Sequence, residues 1–164
     1  MAAKRVLVVD DDPETRRWMT EYLAELGYES HVALDGDHAL RSAIALRPEL
    51  ILLDIYLPGP AYALRFAARY RDRVPAARRA PIIAMSASDE LGALAQRMGA
   101  TDTLAKPFEL GALAKLLGKY LDDPVEGDSA SRPNKPRRRR PSSPRSRRPD
   151  RPSARGGGAR APRP

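Results

Sequence analysis

The chain has 164 residues, no cysteine and a formal net charge of +8. This length and composition exclude a disulfide framework and a cysteine-based metal site, and they allow one ordinary domain with an extension. Residues 1–128 carry 16 Lys and Arg against 20 Asp and Glu, a net charge of −4, whereas residues 129–164 carry 13 against 1, a net charge of +12. The sequence therefore predicts an acidic folded part followed by a basic tail.

Apolar runs are short throughout the chain. The run near the start covers only residues 6–9 before three aspartates, which is too short for a signal peptide. No run reaches the length that a membrane span requires. We therefore expect a cytoplasmic protein that does not bind membranes.

The first half of the chain alternates between strand and helix patterns. Residues 5–9 form an aliphatic strand that runs into Asp10, Asp11 and Asp12. Asp12 suits a helix N-cap and Pro13 the first helical position. The patterns then predict a helix to residue 26, a strand at 31–34, a helix at 38–46, and an aliphatic strand at 50–53 that ends at Asp54.

The second half continues the alternation. It predicts a helix at 61–73, a strand at 81–85 followed by Ser86, a helix from an N-cap at Ser88 to residue 98, a strand at 101–105 followed by Lys106, and a helix at 110–121. Strands that alternate with helices form parallel sheets, and unbroken aliphatic strands are typical of a sheet that is covered on both faces. The predicted fold is thus α/β, a five-stranded, doubly wound parallel sheet.

The C-terminal segment has a different composition. Residues 129–164 contain 12 Arg and eight Pro, and no Leu, Ile, Val, Met or aromatic residue. Such a segment cannot bury enough apolar surface to offset the entropy of ordering. We expect residues 122–164 to form a disordered, Arg- and Pro-rich basic tail.

Reactive side chains follow four of the five predicted strands. Asp10 and Asp11 follow the first strand, and Asp54, Ser86 and Lys106 follow the third, fourth and fifth. Each has an ordinary explanation alone, as a turn residue, a cap or a surface cation, but all five at one sheet edge indicate a site. Crowded carboxylates need a cation, and oxygen ligands suit Mg²⁺. Asp54 could then be phosphorylated as a nucleophile, with Ser86 and Lys106 around the phosphoryl oxygens.

Four segments resemble the receiver domain of two-component response regulators. They read Val-Val-Asp-Asp-Asp-Pro at 8–13, Leu-Asp-Ile-Tyr-Leu-Pro-Gly at 53–59, Met-Ser-Ala at 85–87 and Ala-Lys-Pro-Phe at 105–108. The resemblance covers residues 4–121. It implies a flavodoxin-like strand order of 2-1-3-4-5 and a cis peptide bond before Pro107.

The resemblance also implies roles for the individual residues. Asp54 would accept the phosphoryl group from a phosphohistidine of a sensor histidine kinase or a histidine phosphotransfer protein. Asp11, Asp54 and the backbone carbonyl of Tyr56 would hold Mg²⁺, with Asp10 acting largely through water, and Ser86 and Lys106 would bind the phosphoryl oxygens. Such a protein is not a turnover enzyme: it catalyses only its own phosphorylation and dephosphorylation, and it switches protein–protein interactions with a downstream effector.

The sequence departs from the family pattern at three positions. Thr103 stands three residues before Lys106, where the family commonly has an aromatic residue. The inward or outward rotamer of that residue follows the hydroxyl residue, here Ser86, when the domain switches. Tyr62 occupies the place of a glycine before the third helix, so that loop is expected to differ. Tyr56 lies two residues past the acceptor, where bulk can obstruct an attacking water.

Two alternative functions remain open at this stage. A haloacid-dehalogenase-like phosphatase would use Asp10 and Asp12 as nucleophile and acid, with Ser86 and Lys106 on later strands, but it leaves Asp54 without a role. A regulated, nonspecific nucleic-acid binder would use the arginines of the tail to contact phosphates. The basic tail is also explained by a solvated extension whose composition follows GC-rich codons, and this is the favoured interpretation of the tail.

Overall fold

The computed structural model describes residues 2–56, 58–87 and 89–122, in which five parallel strands alternate with five helices. The strands are β1 (Arg5–Val9), β2 (Glu29–Ala33), β3 (Leu50–Asp54), β4 (Ile82–Ser86) and β5 (Asp102–Ala105). The helices are α1 (Pro13–Glu25), α2 (Gly36–Leu46), α3 (Pro60–Arg73), α4 (Leu91–Met98) and α5 (Leu110–Leu121), and a short 3-10 helix spans Ala76–Arg78. The sheet order is β2-β1-β3-β4-β5, which confirms the predicted fold.

The sheet is buried on both faces. Val6 and Val8 of β1 pack into one apolar cluster, while Leu7 and Val9 pack into a second on the opposite face. Helices α1 and α5 contribute to the first cluster through Met19, Leu23, Leu113, Leu117 and Leu121, and α2, α3 and α4 contribute to the second. Because both faces are covered, the central strands need apolar residues at every position, which is why their sequences are unbroken aliphatic runs.

Helix α1 starts where the sequence predicts. The side chain of Asp12 accepts a hydrogen bond from the backbone N–H of Thr15 at 2.9 Å, and Pro13 is the first helical residue. A second hydrogen bond, from the Thr15 hydroxyl, is the largest of the effects that lower the pKa of the Asp12 carboxyl. Asp12 is therefore an N-cap, and its carboxylate is committed to the helix.

Predicted boundaries differ from the structure in detail, and some apolar helix residues are exposed. Strand β2 spans Glu29–Ala33 and not 31–34, because its register with β1 starts by pairing Glu29 with Arg5, and an edge strand tolerates the polar residues there. Leu26, Ile44 and Leu110 match the apolar periodicity of their helices, yet they are 40%, 40% and 47% exposed. The predicted cap at Ser88 and the tail from residue 123 onward lie outside the described residues.

The five helices of the described ranges have 8 to 14 residues each. None of these helices is both long and apolar enough to cross a bilayer.

Gly99 ends α4 in a conformation that disfavours other residues, which gives a stability prediction. Its φ angle is +67°, and an added Cβ would lie 2.7 Å from Nη1 of Arg71. We expect Gly99→Ala to lower the free energy of unfolding by about 1–2 kcal/mol. Gly92→Ala is the matched control, because nothing lies within 4 Å of its added Cβ, and alanine should stabilise the helix there by roughly 0.5 kcal/mol. Urea unfolding of the three proteins tests this, and equal stability of Gly99→Ala and wild type would contradict it.

Candidate functional site

Three carboxylates meet at the carboxyl edge of the sheet. Asp10 directly follows β1 and Asp54 ends the neighbouring strand β3, with Val9 paired to Leu53 in the register between them. One carboxylate oxygen from each of Asp10, Asp11 and Asp54 lies within 4.8 Å of the others. Asp10 is fully buried, Asp54 is partly buried and Asp11 is exposed. Like charges this close repel one another, so the arrangement favours a bound cation.

Lys106 supplies a positive charge to this cluster. It follows β5, and its Nζ lies 2.7 Å from Oδ2 of Asp10 and 3.1 Å from Oδ2 of Asp54. Burial is the largest effect on its ammonium and lowers the pKa, but the hydrogen bonds and charges of Asp10 and Asp54 together outweigh burial and raise the pKa above its ordinary value. The side chain is therefore charged at neutral pH. The peptide bond between Lys106 and Pro107 is cis, as the family resemblance predicts.

Ser86 lies at the same edge. It is the last residue of β4, it is only 2% exposed, and its carbonyl accepts a hydrogen bond of 2.7 Å from the backbone N–H of Lys106. Because β4 lies between β3 and β5, Ser86 stands between the strands that carry Asp54 and Lys106. All the predicted site residues thus lie at one edge of the sheet.

The backbone of Tyr56 contacts the carboxylate of Asp54. Its N–H donates a hydrogen bond of 2.9 Å to Oδ1 of Asp54, so that both oxygens of Asp54 have a partner, Tyr56 on Oδ1 and Lys106 on Oδ2. The Tyr56 ring is 40% exposed. The sequence places Tyr56 beside the site, but the backbone hydrogen bond carries no sequence signal, because any residue type except proline can make it.

Arg16 is a positioning residue that the sequence does not single out. Its Nη1 donates a hydrogen bond of 2.8 Å to the carbonyl oxygen of Asp10, which fixes the loop that carries Asp10 and Asp11. Arg17, the next residue, pairs instead with Glu21 on the surface of α1. Adjacent residues of a helix point in different directions around its axis, and on α1 only Arg16 faces the loop that carries Asp10.

The structure argues against the phosphatase alternative. That alternative requires the carboxylates of Asp10 and Asp12 to act on one substrate. The Asp12 carboxylate instead bonds both the N–H and the hydroxyl of Thr15, and Asp12 is not part of the carboxylate cluster. Asp54, which the alternative leaves without a role, is part of the cluster.

Two of the positions that depart from the family pattern lie on β5 and α3. Thr103 is exposed on β5, the edge strand next to β4. Tyr62 lies in the first turn of α3, is 43% exposed, and has the Arg65 guanidinium 5.4 Å from its ring centroid. The helix begins at Pro60, one residue before the prediction, with Gly59 as its N-cap.

The oxygen-rich cluster fits a divalent cation. Its donors are carboxylates from three residues, with no nitrogen or sulfur ligand among the described residues that form the group. Hard oxygen donors of this kind are those that Mg²⁺ prefers, and Mg²⁺ commonly binds through one or two carboxylates while it keeps several waters. The exposed position of Asp11 leaves room for such waters.

Residues 6–118 match the family model of the response regulator receiver domain. The chain is 32% identical over 124 residues to the regulatory protein AtoC of Escherichia coli, an alignment that covers 73% of this chain and 26% of AtoC. It is 36% identical over 120 residues to the transcriptional regulatory protein PrrA of Mycobacterium tuberculosis, covering 69% of this chain and 48% of PrrA. The chain thus spans about half or less of the length of these curated relatives.

Two solved structures share the fold. The chemotaxis protein CheY4 of Vibrio cholerae superposes with a TM-score of 0.64 at 31% identity, covering 73% of this chain and 100% of CheY4. The receiver domain of the sensor histidine kinase PA1611 from Pseudomonas aeruginosa superposes with a TM-score of 0.61 at 32% identity, covering 73% and 98%. The PA1611 structure holds a magnesium ion in its active site cleft.

Proposed function

The chain belongs to the response regulator receiver domain family, and from that premise we propose that it accepts a phosphoryl group on Asp54. The donor is a phosphohistidine of a sensor histidine kinase or of a histidine phosphotransfer protein. The observation that carries the proposal is the position of Lys106, whose ammonium bonds both Asp10 and Asp54 within a cluster of three carboxylates. Residues 4–121 form the receiver domain in this proposal.

The transfer itself requires little covalent chemistry from the protein. A carboxylate oxygen of Asp54 attacks the phosphorus, the bond between phosphorus and the imidazole nitrogen breaks, and its electron pair returns to the donor histidine. The product is a mixed anhydride of Asp54. The N–H of Tyr56 orients the Asp54 carboxylate before the attack. Lys106 and the Ser86 hydroxyl then neutralise and bond the phosphoryl oxygens.

Magnesium completes the charge balance in this proposal. Asp11, Asp54 and the backbone carbonyl of Tyr56 would hold Mg²⁺ directly, and Asp10 would act largely through water. When bound, Mg²⁺ supplies positive charge that offsets the negative charge of the phosphoryl oxygens. Two features support this assignment: the carboxylate cluster of this chain and the magnesium ion in the cleft of the PA1611 receiver domain.

An apolar cleft beside Lys106 supports a macromolecular donor. It has a volume of about 290 Å³ and is lined by Thr15, Trp18, Lys106, Pro107 and Phe108. The rings of Trp18 and Phe108 are 5.7 Å apart at their centroids and pack against each other. Trp18 and Phe108 are only partly buried. Accessible aromatic surface of this kind is typical of protein-binding sites, so a donor protein that docks here brings its histidine close to Lys106.

Labelling with acetyl phosphate tests the proposed function. Incubation of the full chain with Mg²⁺ should add one phosphoryl group that hydroxylamine removes, and EDTA should reduce labelling to background. The same protein should hardly hydrolyse p-nitrophenyl phosphate, because it catalyses only its own phosphorylation and dephosphorylation. Labelling that is unaffected by EDTA, or steady turnover of p-nitrophenyl phosphate, would contradict the proposal.

Tyr56 gives a prediction for the lifetime of the acyl phosphate. Its backbone N–H already bonds Asp54, and its side chain lies two residues past the acceptor, where bulk hinders an attacking water. Tyr56→Asn should shorten the lifetime roughly fivefold, which corresponds to about 1 kcal/mol in the hydrolysis barrier. Tyr62→Asn is the matched control, because Tyr62 is exposed to a similar degree but lies on α3. Decay of the labelled proteins after removal of acetyl phosphate measures both, and an unchanged or longer lifetime for Tyr56→Asn would reject the shielding role.

A further inference from the structure

A second cleft lies at the edge of the sheet opposite the carboxylate cluster. Its volume is about 330 Å³, which is within the range of small-molecule sites. Ile82, the first residue of β4, and Thr101, which precedes β5, both line it, whereas Ser86 and Lys106 lie at the other ends of these strands. The receiver chemistry described above uses none of its residues.

Two arginines line this cleft and are fixed by the ends of helices. Nη1 of Arg71 donates to the carbonyl oxygen of Met98, the last residue of α4. Nε of Arg79 donates to Val74 at 2.7 Å, and its Nη2 donates to Arg71 at 2.6 Å, both through carbonyl oxygens. A guanidinium has five N–H donors, so these bonds use one donor of Arg71 and two of Arg79 and leave the others for a ligand.

Two hydroxyl groups in the cleft also retain a proton to donate. The Tyr70 oxygen accepts a hydrogen bond from the backbone N–H of Ala80 at 3.0 Å, and the Thr101 oxygen accepts one from Ile82 at 3.2 Å. Each hydroxyl therefore uses an acceptor position and keeps its O–H for another partner. Burial raises the pKa of Tyr70, so its proton stays in place at neutral pH.

The charge of the cleft favours an anion. Among the described residues that line it, Arg71 and Arg79 are charged and none is acidic. Helix C-termini ordinarily repel anions, because their free carbonyls carry partial negative charge. Here the guanidiniums already bond carbonyls at the ends of α3 and α4, which offsets that repulsion. Ala80, Pro81 and Ile82 add an apolar wall beside these donors.

From this arrangement we propose that the cleft binds a small phosphate monoester. Its phosphate group accepts hydrogen bonds from Arg71, Arg79 and Thr101, and its organic body lies against Ala80 and Pro81. A phosphate group fits this set of donors because it offers several oxygen acceptors and two negative charges to two guanidiniums, and such charge-assisted hydrogen bonds are the strong ones. The volume accommodates a ligand of about mononucleotide size.

Residue-resolved titration of the full chain tests the proposal. AMP is added to isotope-labelled protein without Mg²⁺, and amide shifts are followed, with adenosine and inorganic phosphate as separate probes. We expect saturable shifts with AMP at Ile82, Gly99 and Thr101, smaller shifts with inorganic phosphate at the same amides, and none there with adenosine. Shifts confined to residues 129–164 or to the carboxylate cluster would overturn the proposal, as would equal responses to AMP and adenosine.

Substitutions distinguish ligand binding by these side chains from a purely structural role at the helix ends. Arg79→Gln should weaken AMP binding at least tenfold, whereas Arg78→Gln should change it less than twofold, because Arg78 is an exposed neighbour of equal charge that does not line the cleft. Equal weakening by the two variants, or none by Arg79→Gln, would overturn the proposal. Thr101→Val is a second variant that keeps the shape of the side chain and removes its O–H, and it should weaken binding severalfold even if Arg79→Gln unfolds. Unchanged affinity in Thr101→Val would overturn the role of the hydroxyl and with it this site.

Discussion

Asp54→Asn should abolish labelling by acetyl phosphate, while Asp12→Asn should be labelled like the wild type. Asparagine at position 54 keeps the size of the side chain but removes the carboxylate that bonds Lys106 and Tyr56 and that we propose as the nucleophile. Position 12 provides a matched control, because Asp12 is only two residues from the buried Asp10 but its carboxylate caps α1 through Thr15. Asparagine caps helices about as well as aspartate, so the control variant should fold.

The measurement is the mass of the intact protein after incubation with acetyl phosphate and Mg²⁺. Wild type and Asp12→Asn should each gain one phosphoryl group, and Asp54→Asn should gain none above the background of an unmodified sample. Labelling of Asp54→Asn at the wild-type level would place the acceptor on another side chain and remove the proposed mechanism. Loss of labelling in Asp12→Asn would instead return a chemical role to Asp12, as the phosphatase alternative requires.

The acid cluster could be predicted from the sequence because strand ends can be read from composition. Unbroken aliphatic runs mark β1 and β3 as buried on both faces, and the first polar residue after each run must lie at the carboxyl edge. Asp10 and Asp54 lie there, with Lys106 between them in space. The order of the strands thus determines which side chains meet. The hydrogen-bond distances between those side chains cannot be predicted from the sequence.

The contacts of Arg16 and the exposure of Leu26 and Ile44 show what the sequence leaves undetermined. Periodicity places a residue on a helix face, but it does not say where the neighbouring element ends. Leu26 lies beyond the last residue of α1, and Ile44 lies on the last turn of α2, so both match the apolar period and remain 40% exposed. Met19, in contrast, is fully buried against the sheet. Tertiary packing decides these positions, and helix periodicity alone does not.

Removal of residues 129–164 should abolish binding to nucleic acid and leave the rate of phosphorylation unchanged. These residues carry a net charge of +12, whereas residues 1–128 carry −4 and include the carboxylate cluster. Contacts between arginine and phosphate release counterions, so affinity should fall steeply with salt. For six or more phosphate contacts, the affinity should drop about a thousandfold between 50 and 200 mM salt. Binding should be independent of sequence, because the segment has no aromatic residues for stacking on bases.

The positively charged segment could instead bind the acidic residues of its own chain. The experiment distinguishes this contact from binding to DNA. A tethered segment has a high effective concentration at its own domain, but a duplex offers far denser negative charge, so DNA should win at low salt. Glutamine at Arg137, Arg138, Arg139 and Arg140 should lower the salt slope by about 3 to 4 units. Beryllofluoride should change the affinity for DNA little, because the Lys106 ammonium lies beside the proposed acceptor Asp54 and offsets much of the added negative charge locally. The measurement is a salt titration of fluorescent DNA with full-length, truncated and glutamine-substituted protein. Binding that survives truncation or prefers one sequence would reject the electrostatic account, and a large effect of beryllofluoride would make the tail the regulated output of the receiver.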